Sequence, residues 1–290
     1  MSDSDGDAGY HYELYRYTPS IPAAVVFVVV FALLSIAHLI ILIRNRTYIF
    51  IPFFIGLLFE CAGYAARIAS HFDTEALAPY IVQTLLILIA PPLFAASIYM
   101  TLGRILRHLH AEDKSIVPVR FLTKIFVSGD VISFLLQAAG GGYMAAGTLS
   151  AMETGSNIVI GGLAVQLVFF SLFVFVSALF HWRMKKQPDY DSITVSSVPT
   201  RWAKFITWES VMWALYIACA LILIRSIFRV VEFVEGNDGF IMKREYLLYI
   251  FDAVLMALTG FVLVVIYPGF FLGRGGKRET DIGLLRFSGS

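Results

Sequence analysis

Residues 21–43 read IPAAVVFVVVFALLSIAHLIILI, twenty-three positions without one Asp, Glu, Lys or Arg. A helix rises ~1.5 Å per residue and a bilayer core is about 30 Å thick, so about 20 apolar residues span it. Six further blocks of this kind follow, at 48–70, 78–102, 121–147, 156–181, 205–229 and 246–271. Their Leu, Ile, Val and Phe residues do not alternate strictly, and turn signals fall between blocks, which selects helices over a β-barrel. The expected fold is an all-α polytopic membrane protein, a bundle of seven transmembrane helices.

Composition agrees. Of the 290 residues 58% are hydrophobic and only 15% charged, against roughly 25% charged in a soluble domain. A soluble globule of this size has too little polar surface to cover so much apolar chain. The 22 basic and 21 acidic residues nearly cancel, leaving no bulk charge for nucleic acid. No basic stretch followed by a short apolar core opens the chain, so a cleavable signal peptide is not expected. Cys61 and Cys219 both lie in apolar blocks and read as packed thiols rather than a disulfide framework.

Basic residues set the expected orientation. Arg44, Arg46, Arg104, Arg107, Lys114, Arg120, Arg183, Lys185, Lys186, Arg201, Lys204, Arg274, Lys277, Arg278 and Arg286 all fall on one side. The other side holds Arg16, Arg229, Lys243 and Arg244. The positive-inside rule places the N-terminus outside and the C-terminus in the cytosol. The domains are then an extracellular or lumenal tail at 1–20, a seven-helix domain at 21–272 and a cytosolic tail at 273–290. The sequon Asn45-Arg46-Thr47 falls in a short cytosolic loop and should stay unmodified. The 182–204 connection, with Ser and Thr at 192–200, reads as a flexible loop or as a phosphorylated one.

Ionisable groups inside the spans mark candidate sites, because charge in hydrocarbon is costly and needs a partner. The second block carries Glu60 and Arg67, the fourth Asp130 with Ser133 and Gln137, and the sixth Glu209, Arg225 and Arg229. The seventh carries Glu245, Tyr249 and Asp252, while Gln83, Gln166 and His38 lie in the third, fifth and first. By depth, Arg67, Arg225, Arg229, Glu232, Glu245 and Asp252 form an outer layer. Asp130, Glu209 and His38 form an inner one, with Glu60 between them, all lining one bundle interior. The outer charges read either as ion pairs that fix packing, such as Arg225 with Asp252, or as a site. Glu60 and Asp130, with no base nearby in sequence, lean towards a site. Gly140-Gly141-Gly142 and Gly161-Gly162 suggest close helix packing, and Pro91-Pro92 should kink or unwind the third helix.

Several seven-helix classes do not fit. A retinal protein needs a lysine in its last helix, and 246–271 has none. Rhodopsin-like motifs are replaced by Leu102-Gly103-Arg104 and Tyr267-Pro268-Gly269. Zinc hydrolysis needs converging His and Asp ligands, which the isolated His38, His181 and His108-x-His110 do not offer. No Walker A sequence occurs, so ATP use by this chain is not expected. No nucleophile–base pair, metal site or cofactor motif supports an enzyme.

The assembled pattern resembles the fungal lipid-translocating exporter family, the group named for resistance to aminocholesterol. It runs from Tyr17-x-Pro19-Ser20 through Glu60-x-x-Gly63-Tyr64-x-x-Arg67, Gln83 and Ala90-Pro91-x-Leu93-x-Ala95-Ala96-x-x-Tyr99. Asp130-x-x-Ser133, Gln137, Gly161-Gly162-Leu163 and Gln166 continue it. Arg225-x-x-Phe228-Arg229-x-x-Glu232, Gly236, Gly239, Glu245, Tyr249 and Asp252 complete it. Tyr267 departs from the histidine the family leads one to expect before Pro268-Gly269. The resemblance implies fungal plasma membrane, with internal membranes as the alternative, and a link to sphingoid long-chain bases, amphiphilic toxins and porphyrin uptake. Its expected function is translocation or binding of amphiphilic lipids, with intramembrane carboxylates meeting an ammonium head. A seven-helix lipid sensor acting through its cytosolic loops is the alternative. The partners are then a lipid or other amphiphile and the membrane.

Overall fold

The computed structural model describes residues 20–72, 77–109, 118–144, 148–186, 208–236, 239–241 and 244–272. The tails expected at 1–20 and 273–290, apart from Ser20, and the connection beyond Lys186 lie outside these residues. Every regular element among the described residues is helical. Helix α1 covers Ile21–Asn45, and a 3-10 turn at Tyr48–Phe50 leads into α2, Ile51–Phe72. Then come α3 Leu77–His108, α4 Val119–Met144, α5 Leu149–Lys185, α6 Trp208–Glu235 and α7 Glu245–Val265, followed by a short α8, Gly269–Leu272. Seven of these are long and apolar enough to cross a membrane.

Local chemistry explains where the helices begin and end. Pro22 sits in the first turn of α1, where its missing N–H has no intrahelical acceptor to lose. Arg46 ends α1 in the left-handed region (φ 51°), and its N–H closes on the Leu42 carbonyl. The Thr148 hydroxyl accepts the Ala151 N–H at 3.2 Å and starts α5 at Leu149. Most of the loop expected near 148–155 is therefore helix. The seventh span stops at Val265 instead of running to 271, since Pro268 can neither donate a backbone bond nor fit its ring into a continuing turn. Pro91 and Pro92 do not unwind α3, which stays helical to His108.

The bundle keeps its intramembrane charges inside and turns aliphatic side chains outward. Val26, Val29, Leu33, Ile36, Ile40 and Ile43 of α1 are exposed, while Glu60, Arg67, Arg225 and Asp252 are buried. That inversion suits a lipid solvent, which accepts aliphatic side chains and rejects charge. This is an integral membrane protein. Exposed Tyr48, Trp182 and Trp213 lie towards one end of the bundle, and Tyr143, Phe240 and Tyr246 towards the other, as interfacial rings do. Successive helices pack side by side, and α7 closes against both α6 and α1. Helix α3 is the most interior: 61% of its most apolar window is buried, against 28% for α1. We call the end where α1, α3, α5 and α7 begin the N-face.

Glycine sets the α4–α5 spacing. A Cβ on Gly140 would lie 2.6 Å from the Gly155 carbonyl oxygen, and one on Gly162 2.8 Å from that of Ser133. Gly141, Gly142 and Gly161 face nothing within 4 Å, so only part of each glycine run serves packing. Gly140→Val should cost about 1–3 kcal/mol through overpacking. Gly141→Val should cost clearly less in thermal melts of the purified protein. Equal melting of the two variants would show that α4 and α5 do not touch there.

Candidate functional site

Three helices present polar residues at the same spacing of i, i+4 and i+7, which places each set on one face. They are Glu60, Tyr64 and Arg67 on α2, Arg225, Arg229 and Glu232 on α6, and Glu245, Tyr249 and Asp252 on α7. The faces converge towards the N-face. Arg225 Nε donates to Asp252 Oδ1 at 2.5 Å, with both side chains 1% exposed. Its Nη2 donates to the Ile87 carbonyl of α3 at 2.9 Å. Arg67 reaches Glu245 Oε1 at 3.0 Å and the Tyr249 hydroxyl at 3.1 Å. Arg229 Nη1 donates to Glu232 Oε2 at 2.6 Å. The Ser20 N–H, just before α1, donates to Glu245 Oε1 at 2.8 Å and ties α1 to α7.

The site depends on two local irregularities. At Tyr249–Val254 helix α7 widens into a π turn that carries Asp252. Such single-turn bulges re-aim side chains inside helices and recur at functional sites. Gly63 lets α2 press on α3: a Cβ there would meet Ile87 Cγ1 at 2.6 Å.

Charge arithmetic singles out one residue. Among the described residues the cluster holds three guanidinium groups, Arg67, Arg225 and Arg229, against four carboxyl groups, Glu60, Glu232, Glu245 and Asp252. Glu232, Glu245 and Asp252 each hold one arginine. Glu60 is left over, fully buried, with neither oxygen hydrogen-bonded. The charges it feels most are those of Asp252, Arg225 and Arg229. Tyr64 Oη, Asp252 Oδ2 and Arg229 Nε, also buried, lack hydrogen-bond partners too. Beside them stands an aromatic wall: Phe31 stacks on Tyr64 at 5.7 Å and Phe27 on Tyr249 at 5.4 Å.

A second polar group lies between α3, α4 and α5. Tyr99 donates to Asp130 Oδ2 at 2.9 Å, and Gln137 Nε2 donates to Gln166 Oε1 at 2.9 Å. Ser133 turns back onto the Gly129 carbonyl. Asp130 Oδ1 and Gln137 Oε1 are buried without partners, and Phe126, Phe170 and Phe173 pack around Tyr99. Asp130 follows Val119 by eleven residues, which places it near the middle of α4 rather than in the inner third.

The expected site residues are thus divided. Glu60, Arg67, Arg225, Arg229, Glu245, Tyr249 and Asp252 meet in the first group, and Asp130, Gln137 and Gln166 in the second. Gln83 is buried on α3, one turn before Ile87. The expectation of one shared interior is corrected: Asp130 is bonded to Tyr99 and has no arginine partner. Glu209 is also corrected. It lies on the first turn of α6, half exposed, and pairs with Lys185 at 3.3 Å instead of lining the bundle. His38 is a core histidine whose Nε2–H donates to the Gly260 carbonyl. Tyr267, in the place of the expected histidine, shares a 2.6 Å hydrogen bond with the Thr47 hydroxyl. Sequence reasoning left Tyr64, Tyr99 and the Ile87 carbonyl out of the site. Tyr64 was detectable as the residue one turn from Glu60, and Ile87 as the residue four before Pro91.

Fold and site together define a seven-helix membrane protein with a buried, charge-bearing centre beside an aromatic wall. The chain belongs to the RTA1 like protein family, whose model matches residues 53–275. It is 40% identical to Protein RTA1 of Saccharomyces cerevisiae over 89% of this chain and 85% of the relative. It is 35% identical to protoporphyrin uptake protein 1 of the same yeast, over 93% and 95% of the two chains. Identity is 24% to the yeast sphingoid long-chain base transporter RSB1, over 88% of this chain and 74% of the relative. These names associate the family with lipid-related membrane transport. No solved structure matches the chain.

Proposed function

We propose that this protein translocates cationic amphiphiles across the bilayer, with the α2–α6–α7 cluster receiving the polar head and the N-face turned outward. The observation that carries this reading is the surplus carboxyl group. All three arginines already hold carboxylates, so among the described residues of the cluster the carboxyl group without a guanidinium is that of Glu60. An ammonium head supplies both the missing positive charge and N–H donors for its two oxygens. The apolar body lies against Phe27, Phe31 and Tyr64, as mixed apolar and polar sites require. Relatives named for a sphingoid base and for a porphyrin offer opposite head charges, and the carboxyl surplus favours the base. Translocation of this kind is not an enzymatic reaction.

The test is reconstitution in liposomes with a fluorescent long-chain base followed between leaflets. Movement well above that in protein-free vesicles, competed by other single-chain amines and not by protoporphyrin, is the expected outcome. Saturable binding without movement would replace this reading with the lipid-sensor one. Movement competed by protoporphyrin alone would reject the cationic assignment.

A further inference from the structure

Proline 91 has a role that its helix alone does not explain. In a regular α-helix the carbonyl of residue i accepts the N–H of residue i+4. Pro91 has no N–H, so the carbonyl of Ile87, four residues earlier, has no intrahelical donor. That same oxygen accepts Arg225 Nη2 at 2.9 Å. The other arm of Arg225, Nε, is held by Asp252 of the α7 π turn. One guanidinium therefore joins α6, α7 and α3, and its anchor on α3 is a backbone oxygen made available by a proline.

We propose that Pro91 is a positioning residue for Arg225: by withholding the N–H that would occupy the Ile87 carbonyl, it keeps that oxygen as a fixed acceptor for the guanidinium. A buried arginine with only one acceptor can swing about that contact. Two acceptors on different helices fix the plane of its fork. A backbone acceptor also adds no formal charge, so the balance that leaves Glu60 in surplus is untouched. Membrane helices tolerate proline where neighbours satisfy the freed carbonyl, and here the neighbour is an arginine of the central cluster. Gly63 allows α2 to pack on the same Ile87 turn, so α2, α3, α6 and α7 all refer to this point.

The test compares thermal melts of the purified full chain carrying Pro91→Ala in the native background and in Arg225→Lys. Lysine keeps a charge opposite Asp252 but loses the fork that reaches two acceptors. In the lysine background Pro91→Ala should raise Tm by several degrees, because it restores a helical backbone bond and removes a ring clash. In the native background the rise should be much smaller or reversed, because the new N–H competes with Arg225 for Ile87. Pro92→Ala, which restores a donor to the Leu88 carbonyl instead, should shift both backgrounds alike. Should Arg225→Lys fail to fold, Arg225→Leu with Asp252→Leu serves as the background, with the same expectation. An equal shift from Pro91→Ala in both backgrounds overturns the proposal. The melts need no amphiphile, so the result stands apart from the transport assay.

Discussion

Asp252→Ala is expected to leave the protein barely folded in detergent, lowering Tm by roughly 10 °C or more. Asp252 and Arg225 are each 1% exposed, and among the described residues the carboxylate is the sole countercharge bonded to that guanidinium. Removing it strands a buried cation, which costs about 3–5 kcal/mol out of a total stability of about 5–15. The double variant Arg225→Leu with Asp252→Leu should recover most of the loss. It removes both desolvation penalties and fills the space with side chains compatible with the surroundings. The pattern to look for in melting curves is therefore a severe single variant beside a mild double one. A single variant that melts with the native protein would mean that the pair does not form.

Glu60→Gln should have the reverse profile, with little change in stability and a large loss of transport. Neither Glu60 oxygen is hydrogen-bonded, so the amide forfeits no protein contact. The stability read from melting curves should stay within about 1 kcal/mol of the native protein's. Against an ammonium head, however, the amide loses a charge-assisted hydrogen bond of about 1.5–3 kcal/mol, equivalent to roughly a 10- to 150-fold slower initial rate in liposomes. Native-like transport by a well-folded Glu60→Gln protein would remove Glu60 from the mechanism.

The spans were legible because burial in lipid demands long apolar blocks, and α1, α2 and α4 have ends close to those expected. The differences come from single-residue chemistry: Thr148 capping α5, Pro268 stopping α7, and Arg46 closing α1. The Arg225–Asp252 pair was legible too, since charges of opposite sign at matched depth have few alternatives in a membrane. Depth, however, says nothing about which way a helix is turned. Glu209 and Asp130 were assigned by depth to a common interior. Rotation of α6 leaves Glu209 beside Lys185, while rotation of α4 brings Asp130 to Tyr99. Those rotations are set by contacts spread along whole helices, such as Gly140 on Gly155 and Gly162 on Ser133. The π turn at Tyr249–Val254 had no sequence marker at all.

The polar centre joins the beginning of the chain to its end. Ser20 bonds Glu245, and Arg67 bonds Glu245 and Tyr249. A ribosome adding about 5–20 residues per second needs roughly 10–40 s to proceed from Arg67 to Asp252. During that interval Arg67 has entered the membrane while the two α7 groups it bonds, Glu245 and Tyr249, have yet to be made. A nascent chain interrupted before α7 lacks both of those bonds, so this part of the centre is completed only when the seventh span arrives.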